Sequence, residues 1–348
     1  MNKVERVAVL GGGSWGATLA SLLADKGHDV LLWEFDRRAA EILSTARRLA
    51  VLPDLILNPA VRVTSDIAEA ADQRSTIVSA VPSHFVRSTM RSLRLGGFLM
   101  ERAMVVSVTK GLEEQSFKRM SEVIREELRL DDGRIAVVSG PSHAEEVCRR
   151  LPTAVVASAT DPGVVAQVQT LFSQDYFRVY AHADQIGVEL AGSFKNIYAI
   201  ACGISDGLGF GDNTRAAIVT RGLSEMTRLG VRLGADILTF FGLAGMGDLV
   251  VTCMSVHSRN HQLGEKIGKG KSPEHALKEM TMVAEGYKTA ASAHQLALKH
   301  GFDCPLTREI YQVLYEGKSP RVSLRDLMQR EPQGEWRGLQ MGPERIKT

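Results

Sequence analysis

The sequence predicts a two-part α/β chain, with a doubly wound, mostly parallel sheet in the first half and an all-α second half. Three observations predict it. Short β-rich runs alternate with helical stretches up to about residue 181, as βαβ units with right-handed crossovers require. Beyond that point the β-rich runs stop, and helical stretches punctuated by Gly, Pro and Ser follow one another. The first alternation also carries Gly11-x-Gly13-x-x-Gly16 between the apolar run Val7-Ala8-Val9-Leu10 and a helix that begins near Ser14.

Taken in order, strands are expected at 4–10, 29–34, 76–81, 103–108, 135–138, 153–158 and 177–180. Between them, helices are expected at 14–25, 83–94, 116–128, 142–148 and 161–172. Ser142 and Glu145 have the spacing of a capping box, and Asp161-Pro162 that of an N-cap followed by proline at the first helical position. The second half predicts helices at 184–202, 213–234, 236–242, 258–268, 273–280, 285–300, 305–316 and 319–329. Ser272-Pro273 and Ser319-Pro320 repeat the cap-plus-proline start. The expected organisation is a dinucleotide-binding domain over 1–181, an all-α domain over 182–330 and a polar tail over 331–348.

The glycine pattern implies a Rossmann-type turn because of where it lies. A helix N-terminus offers unpaired N–H groups and a partial positive charge, which suit a pyrophosphate. Gly11 permits the tight turn, Gly13 lets backbone approach the phosphates, and Gly16 lets helix and strand pack closely. Gly27 then stands at a C-cap position, and Asp29-Val30-Leu31-Leu32-Trp33 follows as a second buried strand. Residues 7 to 24 carry no charge and resemble a signal or anchor segment, but their four glycines argue against a continuous helix. A cytoplasmic protein without membrane insertion is the expectation.

At 348 residues with 24% charged side chains and a formal net charge of +2, nothing marks a nucleic-acid or membrane surface. Cys148, Cys202, Cys253 and Cys304 form no C-x-x-C pair, which fits reduced thiols rather than a disulfide framework or metal site, and no metal is expected.

Ligands of open α/β sheets bind beyond the carboxyl ends of the strands, so polar residues there are the first candidates. Lys110 leaves Val105-Val106-Ser107-Val108 directly into a glycine turn, and Ser139-Gly140-Pro141-Ser142 ends another strand in an anion-ready turn. Lys195, with Asn196 beside it, interrupts an otherwise apolar small-residue helix. Asp248 sits within the glycine-rich run Gly242-Leu243-Ala244-Gly245-Met246-Gly247. Ser258-Arg259-Asn260 opens a helix with a planar guanidinium, a suitable phosphate clamp. The loop Gly207 to Asn213 reads as a connection between helices.

The ordered set G-G-G-S-W-G, V-P-S-H, V-T-K-G-L-E, S-G-P-S-H-A-E-E, G-S-F-K-N, S-D-G-L-G-F-G-D-N-T, G-M-G-D-L, S-R-N, V-A-E-G and I-Y-Q-V-L-Y-E-G-K resembles NAD(P)-dependent glycerol-3-phosphate dehydrogenase of the soluble bacterial type, from about residue 4 to 325. The resemblance implies interconversion of dihydroxyacetone phosphate and sn-glycerol 3-phosphate, feeding phospholipid synthesis, by a homodimer. Lys195, Lys110 and Asp248 match its catalytic positions. Gly140, Ser142, Ser258, Arg259 and Asn260, with those three, match its substrate contacts. Gly11, Gly13, Ser14, Trp15, Gly16, Phe35, Arg38, Lys110, Ala144, Arg259, Val283 and Glu285 match its cofactor contacts. The expected chemistry is hydride delivery to the C2 carbonyl with proton transfer from Lys195, whose pKa Lys110 lowers and Asp248 raises.

The choice between NAD and NADP stays open on these residues. Phe35 looks like the adenine-stacking residue of NAD-preferring relatives, and Glu34 or Asp36 can take a ribose hydroxyl, but Arg37 and Arg38 can equally meet a 2′-phosphate. Two rivals share the plan: a β-hydroxyacid dehydrogenase of the 6-phosphogluconate type, which Ser258-Arg259-Asn260 and Asp248 disfavour, and a non-catalytic nicotinamide sensor, which the full set of polar residues disfavours.

Overall fold

The computed structural model describes residues 4–96, 103–332 and 334. Its sheet has eight strands: β1 (Arg6–Leu10), β2 (Asp29–Trp33), β3 (Arg62–Thr64), β4 (Thr76–Ser79), β5 (Met104–Ser107), β6 (Ile135–Ser139), β7 (Thr153–Ala159) and β8 (Phe177–His182). They lie in the order β3-β2-β1-β4-β5-β6-β7-β8, and every neighbouring pair is parallel except β6 with β7. Helices connect them: α1 (Ser14–Asp25), α2 (Arg37–Ala46), α3 (Ile67–Ala71), α4 (Val86–Leu95), α5 (Met120–Leu128), α6 (Ala144–Val147) and α7 (Pro162–Phe172).

The central strands read as continuous apolar runs because both faces are covered. Val7 and Val9 of β1 join a core cluster with Leu19 and Leu23 of α1, while Ala8 and Leu10 join the opposite one with Met90 and Leu93 of α4. The order reverses between β1 and β4, which opens a crevice at their carboxyl ends.

The chain then turns all-helical: α8 (Gln185–Gly207), α9 (Asp212–Arg232), α10 (Ile237–Phe241), α11 (Asp248–Met254), α12 (Arg259–Gly268), α13 (Pro273–Lys278), α14 (Glu285–Lys299), α15 (Pro305–Tyr315) and α16 (Pro320–Met328). Helix α8 is the axis of this half, buried along nearly its whole length. It crosses α12 at backbone contact. A Cβ on Gly203 would lie 2.0 Å from the His261 carbonyl oxygen, and one on Gly264 2.0 Å from that of Ile200. That crossing sets the spacing between whatever the two helices carry.

Several local expectations are corrected. Helix α6 begins at Ala144 with His143 at its N-cap, and the Ser142 hydroxyl donates to the Gly140 carbonyl, so Ser142 and Glu145 form no capping box. Helix α5 starts at Met120, four residues after the expected start, and α8 runs on through Gly207. Strand β3 and helices α2 and α3 were not foreseen. The strand is a three-residue edge, and α2 buries only Ala40 and Leu43, so its apolar pattern is faint. The caps at Asp161 and Ser272 are present, whereas Ser319 makes no side-chain cap. Of the polar tail expected over 331–348, all but 331, 332 and 334 lies outside the described residues.

Candidate active site

Three separate segments deliver the charged centre. Lys110 stands just past the carboxyl end of β5, Lys195 lies midway along α8, and Asp248 is the first residue of α11. The glycine-rich run before Asp248 is not an open turn: residues Leu243–Gly247 make one π turn, closed by the Gly247 N–H on the Gly242 carbonyl at 3.1 Å. Such wide turns redirect the helix that follows. Gly245 is required there, since a Cβ would sit 2.1 Å from the Phe240 carbonyl oxygen. Helix α8 comes equally close to the sheet, because a Cβ on Gly192 would lie 2.6 Å from the Ser139 hydroxyl.

Asp248 is 1% exposed and shared between the two lysines. One carboxylate oxygen accepts from Lys110 Nζ at 2.6 Å and the other from Lys195 Nζ. Lys110 also donates to the Gly140 carbonyl at 3.0 Å, and Lys195 to the Thr252 hydroxyl at 2.6 Å. An ammonium has three donors, so each lysine keeps one for a ligand. Thr252 lies one turn after Asp248, and its hydroxyl donates back to the Asp248 carbonyl at 2.5 Å. The sequence reading missed it, although its i+4 spacing from Asp248 was a usable signal.

Burial depresses the Lys195 pKa to about 7, with the Lys110 ammonium pushing the same way and Asp248 holding it back. The dominant cause is desolvation, which the sequence could not reveal. Burial alone would raise Asp248, but the two ammoniums outweigh it and hold the carboxyl below its usual range. The cluster therefore sets one carboxylate between two amines, and Lys195 is poised to exchange a proton near neutrality.

Asn196 links this centre to the start of α12. Its side-chain Oδ1 accepts from Asn260 Nδ2 at 3.0 Å, and Asn260 Oδ1 accepts from the Gly286 N–H at 2.8 Å. Both asparagines are buried, so Asn260 serves as a brace between α8, α12 and α14. Ser258 is likewise buried, and its hydroxyl caps α12 by accepting from the His261 N–H. Arg259 is exposed in the first turn of α12 and borders a cleft of about 340 Å³, together with residues 51–54, Glu145, Arg149, His257 and Met282. A larger apolar groove along Phe241, Met246, Val250 and Met254 is lined by Glu146 and by no cation among the described residues, so it offers a phosphate no opposite charge.

The glycine turn fits a dinucleotide. Gly11 has φ +113°, and its Cβ would press to 2.9 Å from the Ala80 carbonyl across the crevice. Gly16 packs against Gly11, whose carbonyl oxygen would be 1.9 Å from an added Cβ. Gly13 is exposed with open space where a Cβ would be, and α1 has no side-chain cap, so its first N–H groups are left to a ligand.

The other expected contacts divide. Ser14 reaches across to Met282, while the Trp15 ring lies 6.5 Å from Phe177 and packs against the sheet core. Phe35 is 79% exposed at the crevice edge, and Arg38 is exposed beside it in the first turn of α2. Asp36 caps α2 through the Ala39 N–H, and Glu34 accepts from the Gly12 N–H. Ala144 is buried, Val283 is exposed, and the Glu285 carboxylate accepts from the Ser83 N–H and hydroxyl, tying α14 to the turn after β4. Among the described residues, no group of three His, Cys, Asp or Glu could hold a metal ion.

Comparison with known proteins bears on this arrangement. Residues 6–165 match the model of the NAD-dependent glycerol-3-phosphate dehydrogenase N-terminus and residues 184–325 that of its C-terminus. The chain is 47% identical to a glycerol-3-phosphate dehydrogenase [NAD(P)+] from Thermoanaerobacter over 96% of this chain and 100% of that protein. It is 50% identical to one from Moorella thermoacetica over 94% and 96%. A crystal structure of glycerol-3-phosphate dehydrogenase from Coxiella burnetii superposes with a TM-score of 0.89 at 36% identity, covering 94% of this chain and 99% of that one. A D-mandelate dehydrogenase, at 13% identity and a TM-score of 0.62, shares the fold alone. With both halves of its length matched in order and identity near one half, the chain belongs to the NAD(P)-dependent glycerol-3-phosphate dehydrogenase family.

Proposed function

We propose that this enzyme reduces dihydroxyacetone phosphate to sn-glycerol 3-phosphate, reversibly, with Lys195 as the general acid and base. The carrying observation is the buried lysine with a pKa of about 7, its ammonium held by Asp248 and Thr252. The turn from Gly11 to Gly16 and the uncapped start of α1 would hold the pyrophosphate of a nicotinamide cofactor, which would supply or accept the hydride. Lys195 delivers the proton to the oxygen formed at C2, and takes it back in oxidation. Lys110 stabilises that oxygen by its charge, and Asp248 positions both ammoniums. Arg259, beside the cleft, grips the phosphate, and binding energy from that remote group orients the carbonyl. Gly140 and Ser142 shape the turn below Lys110, while Ser258 and Asn260 support α12 under Arg259.

On this reading residues 1–181 bind the dinucleotide and residues 182–330 the phosphorylated substrate. We assign the enzyme to the cytoplasm as a homodimer supplying glycerophospholipid synthesis; no described helix is long and apolar enough to cross a membrane. The test is oxidation of NADH and NADPH with dihydroxyacetone phosphate against unphosphorylated dihydroxyacetone. Turnover confined to the phosphorylated ketone, lost by about 10²–10⁴ in Lys195→Ala, is expected. Near-normal turnover in that variant would remove Lys195 from the role.

A further inference from the structure

Of the polar atoms around the site, one ring nitrogen has no partner among the described residues. The imidazole of His143 projects from the N-cap of α6, directly after the Gly140–Ser142 turn, and its Nε2 is buried without a hydrogen bond. A buried polar atom left unsatisfied costs free energy, so an orphan beside a ligand site points to a ligand atom. The groups facing the ring define what that ligand is. The turn that leads to it holds Lys110 through the Gly140 carbonyl at 3.0 Å, and the charges of Lys195 on α8, Asp248 on α11 and Glu145 on its own helix act on the ring. Its ring centroid lies 6.2 Å from that of His257, two residues before Arg259. The imidazole thus follows the turn that holds Lys110 and neighbours the histidine two residues before Arg259.

We propose that His143 is a substrate-binding residue whose Nε2–H donates to the phosphate of the three-carbon ketone. Burial, reinforced by the Lys195 ammonium, holds the ring below its ordinary pKa, against the pull of Asp248 and Glu145. At neutral pH it is a neutral donor, and it adds a directed hydrogen bond without another positive charge beside two lysines. The contact extends the reading given above and rests on it.

Three substitutions test it. His143→Phe keeps the flat ring and removes both nitrogens. His143→Gln places an amide N–H near the Nε2 position, and His143→Asn places one nearer Nδ1. The measurements are kcat, KM for dihydroxyacetone phosphate, the inhibition constant of sn-glycerol 3-phosphate, and KM for NADH or NADPH. In His143→Phe, the ketone KM and the inhibition constant should both rise roughly tenfold, the size expected for a hydrogen bond to a charged group. Turnover should stay within about threefold, and KM for the nicotinamide should not move. Gln should recover most of the loss and Asn should not. An unchanged ketone KM, a fall in kcat with KM intact, or a parallel rise in cofactor KM would overturn the contact. If the phenylalanine variant fails to fold, the Gln and Asn pair decides, and equal behaviour of the two rejects the Nε2 assignment. Failure of the underlying function shows instead as absent turnover in the unsubstituted protein.

Discussion

Asp248→Asn separates charge from shape at the centre of the site. The amide oxygen can still accept from a lysine, but the carboxylate bonded to both Lys110 and Lys195 is gone. Lys195 begins at a pKa of about 7, a balance in which Asp248 is the main upward influence. An opposite charge at this range shifts a pKa by roughly 1–3 units, so its loss should lower Lys195 by about 2 units. At pH 7 the protonated fraction then falls from about one half to about 1%, and ketone reduction, which needs the ammonium, slows roughly fiftyfold. The sign follows from the protonation state. Reduction declines as pH rises through the Lys195 pKa, so the variant's decline moves to lower pH and its rate recovers on acidification. Oxidation needs the neutral amine and should keep its dependence on the rising limb, displaced the same way. The assay is the pH profile of kcat in both directions, from about pH 5 to pH 9. A reduction profile with the unsubstituted enzyme's apparent pKa, lowered uniformly at every pH, would refute the argument and leave Asp248 a purely steric role.

Three other outcomes follow from the same geometry. Gly13→Ala meets open space and should leave the thermal midpoint unchanged while raising KM for the nicotinamide, whereas Gly16→Ala, facing a carbonyl oxygen at 1.9 Å, should destabilise the fold; melting curves and cofactor KM check both. Glu189 on α8 is buried and accepts from the Ser121 N–H, the Ser121 hydroxyl and Arg119 at the start of α5, so Glu189→Ala should cost about 3–5 kcal/mol in urea unfolding, and Glu189→Gln less. Arg38→Ala should raise KM for NADPH and leave that for NADH unchanged; equal effects on both would place Arg38 outside the 2′-phosphate site.

Much of this protein was legible locally. The alternating strands and helices, the glycine turn and the caps at Asp161 and Ser272 depend on neighbours a few residues away, and such signals survive in the linear order. Lys110 could be singled out because a strand end followed by glycine is a local pattern. The faint elements, β3, α2 and α3, were lost because short or mostly exposed segments leave little apolar periodicity. The linear order also hid that Asn260 and Glu285 brace the protein through hydrogen bonds whose partners are remote in the chain.

The sequence by itself thus determined the fold class, the dinucleotide turn and the residue types available for chemistry, all of which follow from short-range periodicity and steric rules. Tertiary structure alone decided that Lys110 and Lys195 share the carboxylate of Asp248, the three spread over 138 residues, and that Thr252 joins them. It also decided the state of Lys195. Desolvation is a property of everything packed around a group, and the packing of α8 against α11 that encloses this lysine with Asp248 and Thr252 exists only once the helices meet.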